Sequence, residues 1–125
     1  MPRVFVYGTL LRGEANHYLL TQSRFLCEAK TEPVFSLINL GGFPAMCAGG
    51  CTRVVGEVFE VNREVLETLD ELEEHPEWYV RTPIRLSGGM EAETYLMDPD
   101  RVHGRPLIHS GDWRRKAARM EGTET

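Results

Sequence analysis

The chain lacks any apolar stretch long enough to cross a bilayer as a helix, which needs about 18 or more consecutive apolar residues. Its opening apolar run, Val4–Tyr7, stops at Gly8 and is too short for a secretory leader, so a cytoplasmic protein is expected. Cysteine is sparse and odd in number (Cys27, Cys47, Cys51), with no zinc spacing and only four scattered histidines. Neither a disulfide framework nor a metal centre is expected from that set. Basic residues are outnumbered, 14 against 19 acidic, for a net charge of −5. A nucleic-acid ligand, which calls for a basic stripe, is therefore excluded as the main partner. There is no GxGxxG, no P-loop and no strand–helix–strand alternation, so a dinucleotide or nucleotide triphosphate fold has no support. At 125 residues one domain is expected, over 1–113, followed by a basic then polar tail over 114–125.

What is present reads as strands around one helix. Val4–Tyr7, Arg24–Lys30, Val34–Leu40, Arg53–Val61, Trp78–Leu86 and Glu91–Met97 have strand composition, and Asn16–Leu20 suits a short helical turn. Gly41-Gly42-Phe43-Pro44 and Gly49-Gly50 read as turns, and Ser87-Gly88-Gly89-Met90 as a hairpin turn. Pro83 makes its strand an edge or bulged one. Asn62 is a good N-cap, Glu64 suits the first turn, and Val65, Leu66, Leu69 and Leu72 follow at helical spacing, with Pro76 closing the helix near His75. The pattern predicts an α+β fold built on an antiparallel sheet or barrel.

Two local features carry chemistry. The helix has six acids, and at about 100° per residue five of them (Glu64, Glu67, Asp70, Glu71, Glu74) fall more than about 100° from the apolar centre, on a solvated face. Glu73 falls roughly 50° from that centre, stacked over Leu66 and Leu69. A carboxylate aimed inward is either matched by partners or pushed to a higher pKa by desolvation, which suits a general base near neutral pH. The second feature is the loop after the first strand, Tyr7-Gly8-Thr9-Leu10. Gly8 permits a tight turn, and successive N–H groups there can cradle a carboxylate.

These residues also carry a family resemblance. Val4-Phe5-Val6-Tyr7-Gly8-Thr9-Leu10, with Arg12-Gly13 and Asn16-His17, resembles the opening of the γ-glutamyl cyclotransferase-like family. Val55-Gly56-Glu57-Val58-Phe59-Glu60-Val61 is similar to its central strand. Leu69-Asp70-Glu71-Leu72-Glu73, then Pro76, Tyr79 and Arg81, resembles its catalytic helix and the strand after it. Phe43-Pro44-Ala45 and Ser110-Gly111-Asp112-Trp113 are similar to a mid-chain turn and to the ending of short bacterial members.

The resemblance implies a small, mostly antiparallel β-barrel flanked by helices. It implies an enzyme that cyclises a γ-glutamyl amide to 5-oxoproline and releases an amine, with no cofactor or metal. By position, Glu73 would be the acid/base, Gly8, Thr9 and Leu10 would hold the substrate α-carboxylate, and Tyr79 would be a site tyrosine. Tyr7 opens the loop motif as either core or ligand contact. Thr9 and Tyr79 are candidate oxyanion donors. The turn Ser87–Met90 is short where members that release free lysine carry an insertion, so the resemblance leaves the departing amine open.

Two other readings stand beside it. One is a non-catalytic module on the same fold that senses a γ-glutamyl or carboxylate metabolite. The other is a thiol hydrolase using Cys47 or Cys51, which would need a histidine base and an orienting group.

Overall fold

The computed structural model describes residues 1–116. Strand β1 (Arg3–Val6) pairs antiparallel with β5 (Val55–Glu60), whose other edge carries β2 (Arg24–Lys30). Beyond β1 the sheet continues through β7 (Glu91–Met97), β4 (Pro44–Ala48) and β3 (Phe35–Asn39). Strand β6 (Tyr79–Arg85) pairs with β7 from Tyr79–Met97 to Arg85–Glu91. Because β6 fills one edge of β7, β1 and β4 share the other, with Val4 opposite Glu93 and Met46 opposite Leu96, both parallel. The sheet thus forks at β7.

Tyr7 stands in that fork. Its hydroxyl donates to the Tyr95 carbonyl of β7 at 2.6 Å and accepts from the Met46 N–H of β4 at 3.1 Å. Gly8, the next residue, passes so close to Pro44 that a Cβ there would lie 2.5 Å from the proline ring. The glycine is therefore required by the close approach of the Pro44 ring to the loop backbone.

The expected α+β class and mostly antiparallel pairing are observed. Closure into a barrel is only approached: β2 and β3 are the ends of an open sheet, and a lone Thr31–Leu86 bridge ties the end of β2 to the end of β6. Among the described residues, helix α1 and short 3-10 turns flank it. Strand β4, mostly between the two segments read from the sequence as turns, is an addition. Its residues are small or glycine-flanked, yet Pro44–Cys47 are buried as the β3 partner. The turn after β6 forms as expected, with Gly88 and Gly89 at φ +95° and +104°.

Helix α1 (Arg63–Leu72) starts where the sequence placed it: the Asn62 side chain accepts from the Val65 N–H at 2.8 Å. It packs on the sheet through Leu69, fully buried, with Val65 and Leu66 beside it. Burying a leucine contributes about 2 kcal/mol. The helix ends earlier than Pro76 requires. The His75 N–H reaches back to the Asp70 carbonyl (2.9 Å) and the Glu74 N–H to that of Glu71 (3.1 Å). This is the pairing of a Schellman stop, which places Glu74 in the left-handed region at φ +54°, where glycine is usual.

The expected tail begins inside the ordered fold. Trp113–Arg115 forms a 3-10 turn, Trp113 is buried, and the Lys116 ammonium lies over its ring. The remainder of the predicted tail, 117–125, lies outside the described residues. Among the described residues no helix is long and apolar enough to cross a membrane.

Candidate active site

The segment after β1 turns all its carbonyls inward. Gly8 O accepts from the Leu11 N–H, Thr9 O from the Asn16 N–H, and Leu10 O from His17 Nδ1. The amides of Gly8, Thr9 and Leu10 have no protein acceptor among the described residues. Three successive backbone donors thus lie unmatched within the described protein, and unmatched amides of this kind can bind an anion. The Asn16 side chain donates to the Thr9 hydroxyl at 2.9 Å, which leaves that hydroxyl's own proton free.

The far end of this loop is clamped by a buried acid. Glu57 of β5 accepts the Arg12 N–H at 2.9 Å and the Arg12 Nε at 3.1 Å. Arg114 adds a guanidinium 3.5 Å from the same carboxylate and donates to the Arg12 carbonyl. Both arginines stay partly in water while Glu57 is 2% exposed.

These loop residues line a cavity of about 500 Å³ together with Glu73, Tyr7, Tyr79 and Tyr95. Glu73 follows the last residue of α1. Its φ of −84° and ψ of −2° keep it nearly helical, so its side chain continues the inward face although the helix has ended. Its carboxyl is partly buried with no hydrogen-bond partner among the described residues, and desolvation pushes its pKa from 4.5 up to about 7.

Each of the three tyrosines donates its hydroxyl proton to a protein acceptor: Tyr7 to Tyr95 O, Tyr79 to Pro44 O at 2.8 Å, and Tyr95 to Asp70 at 2.7 Å. Burial first, then the nearby Glu73 carboxylate, holds the Tyr79 phenol well above its usual range. Burial and the bond to Asp70 do the same for Tyr95. The Tyr7 oxygen already accepts from the Met46 N–H, so towards a ligand it is the Tyr79 and Tyr95 oxygens that offer lone pairs. The cavity is therefore poled, with amide donors at the loop and acceptors around Glu73.

A family model described as gamma-glutamyl cyclotransferase, AIG2-like, matches residues 4–115. The chain belongs to this family. It is 40% identical over 110 residues to a putative gamma-glutamylcyclotransferase of Vibrio cholerae, covering 88% of this chain and 93% of that one. It is 40% identical over 95 residues to gamma-glutamylaminecyclotransferase B of Danio rerio, covering 69% of this chain but only 50% of the relative. Among solved structures, an aig2-like protein from Mus musculus superposes with a TM-score of 0.76 at 29% identity, over 90% of this chain and 88% of the other.

Within this cyclotransferase-family fold, Tyr7, Gly8, Thr9, Leu10, Glu73 and Tyr79, singled out from the sequence, all line one cavity. Two details differ from expectation. Tyr79 is not a free oxyanion donor, because its proton is held by Pro44. Asp70, expected on the solvated face, is half-buried under β6 and β7, where it accepts from Tyr95 and pairs with Arg81 at 3.4 Å.

Asn16, Tyr95 and Glu57 were not singled out as site residues. Asn16 and Glu57 stood in quoted motifs without an assigned role, and Tyr95 lay in a strand with nothing local to mark it. The thiol reading loses Cys47 as a ready nucleophile. Burial pushes the Cys47 thiol up to about 11, away from the thiolate a nucleophile needs, and Cys51 is exposed.

Proposed function

We propose that this chain cyclises the γ-glutamyl group of a γ-glutamyl amide to 5-oxoproline with release of an amine. The Gly8, Thr9 and Leu10 amides hold the α-carboxylate, and Glu73 is the general acid/base. One observation carries the reading: an unpartnered carboxyl raised to about 7 shares a cavity with three unmatched backbone amides. The glutamyl group is a zwitterion at its α-carbon, and the donor and acceptor poles match its carboxylate and ammonium.

The substrate carries its own nucleophile, so the site's task is to hold a folded conformer. Glu73 takes a proton from the α-ammonium, and the freed lone pair attacks the γ-carbonyl carbon. The intermediate collapses as Glu73 returns a proton to the departing nitrogen and the old C–N bond breaks. Of the three ammonium protons one stays on the lactam nitrogen, and two leave on the amine, which departs as an ammonium ion. The Thr9 hydroxyl is the side-chain donor free to meet the oxyanion.

The test is 5-oxoproline release from a panel of γ-glutamyl amines and γ-glutamyl amino acids. Glu73→Gln, isosteric and uncharged, is expected to lower kcat by about 10²-fold or more while far-UV circular dichroism stays unchanged. Full turnover in Glu73→Gln would remove this mechanism. Binding without turnover in the native protein would leave a sensor.

A further inference from the structure

The cavity also carries an apolar lining. Leu40, Phe43, Leu72, Trp78 and Met97 form it, none of them charged. Phe43 and Trp78 are each 46% exposed and Leu72 is 38% exposed, so large apolar surface faces water at the mouth of a site. Grouped exposed apolar side chains of this kind mark binding surfaces, whereas scattered single ones do not.

A γ-glutamyl amide has its α-carboxylate at one end and its amide substituent at the other. With the carboxylate on the loop amides and the γ-carbonyl near Glu73, the substituent must extend past Glu73. Leu72 and Glu74 flank Glu73 in the chain, and Trp78 follows them on the same cavity wall.

Resting on the cyclotransferase reading, we infer that the departing amine carries an apolar group, aromatic or branched aliphatic, seated against Phe43, Leu72 and Trp78. The charges at the mouth do not favour a charged tail of either sign. Glu74 lines the mouth but is exposed, and the Arg101 guanidinium lies 4.7 Å from the centre of the Trp78 ring. A cationic tail would meet both, an anionic tail likewise, and exposed ion pairs contribute little. Removing an aromatic or branched group from water against two aromatic rings is worth about tenfold to a hundredfold in kcat/KM.

The experiment compares matched γ-glutamyl derivatives of phenethylamine, isoamylamine, ethylamine and the lysine side-chain amine, reading 5-oxoproline. The phenethyl and isoamyl compounds are expected to exceed the lysine compound at least tenfold in kcat/KM. That ratio is expected to fall towards one in Phe43→Ser and Trp78→Ser, exposed positions where folding tolerates the change.

A lysine derivative turned over as well as, or better than, the apolar ones overturns the inference and leaves the cyclotransferase reading standing. No 5-oxoproline from any member overturns that reading instead. Titration calorimetry of the same compounds against Glu73→Gln then decides the apolar contact. Tenfold tighter binding of the phenethyl compound supports it, and equal or absent binding overturns it.

Discussion

Glu57 and Glu73 are both drawn out of water near the loop that follows β1, and the protein treats them in opposite ways. Glu57 is 2% exposed and receives an N–H, an Nε and a second guanidinium, so its charge is matched on each side. Glu73 sits in the cavity wall with no partner among the described residues, and its carboxyl rises to about 7. A carboxylate surrounded by donors fixes structure, because removing it leaves those donors unmatched. A carboxylate left without donors takes up and releases a proton near neutral pH. The two acids thus differ in kind: one is held by donors at the end of the loop, and the other lines the cavity without them.

The contrast breaks most visibly at the clamp. Glu57→Ala leaves the Arg12 N–H without its acceptor and opens a void under β5. It is expected to lower unfolding free energy by about 2–3 kcal/mol in urea titration and to raise KM more than it lowers kcat, since the loop amides lose their anchor.

A smaller effect follows from the unmatched acid. In the folded chain the Glu73 pKa lies above its ordinary value of 4.5, at about 7. Its contribution to stability is therefore full below about pH 4.5 and is lost as pH rises through about 7, when the fold must hold an unpaired charge. Relative to Glu73→Gln, the native protein should lose roughly 2 kcal/mol across that window, read by urea midpoints at pH 4.5 and 8.5. Turnover should move the other way, rising through pH 7 as the base ionises.

The smallest effect sharpens the neighbour rather than the acids themselves. Glu74 holds a left-handed conformation at the helix stop, and Glu74→Gly should raise stability by about 0.5–1 kcal/mol, visible as a higher Tm.

The sequence exposed the parts of the site whose cause is local. The helical wheel found Glu73 although α1 ends at Leu72, because the capping residue keeps helical dihedrals for one more position. The turn after β1 was legible because Gly8 permits it. Asp70 was misplaced because the wheel sees one helix, while β6 and β7 cover the flank that it assigns to water. Strand β4 was hidden by glycines on both sides and by its own small residues, and its pairing with β3 gives it order. Glu57 looked like the polar half of an alternating strand. Its partners Arg12 and Arg114 are 45 and 57 residues away, and no window along the chain joins them.

The grip of Arg114 on the Arg12 carbonyl joins residues 102 apart. A ribosome releases Arg12 early and Arg114 late, so every strand of the sheet is made before the loop receives its second guanidinium. The brace on the loop after β1 is thus completed by nearly the last residue of the described fold. A nascent chain halted before Trp113 would hold the seven described strands and the unpartnered acid, with that loop braced by Glu57 alone.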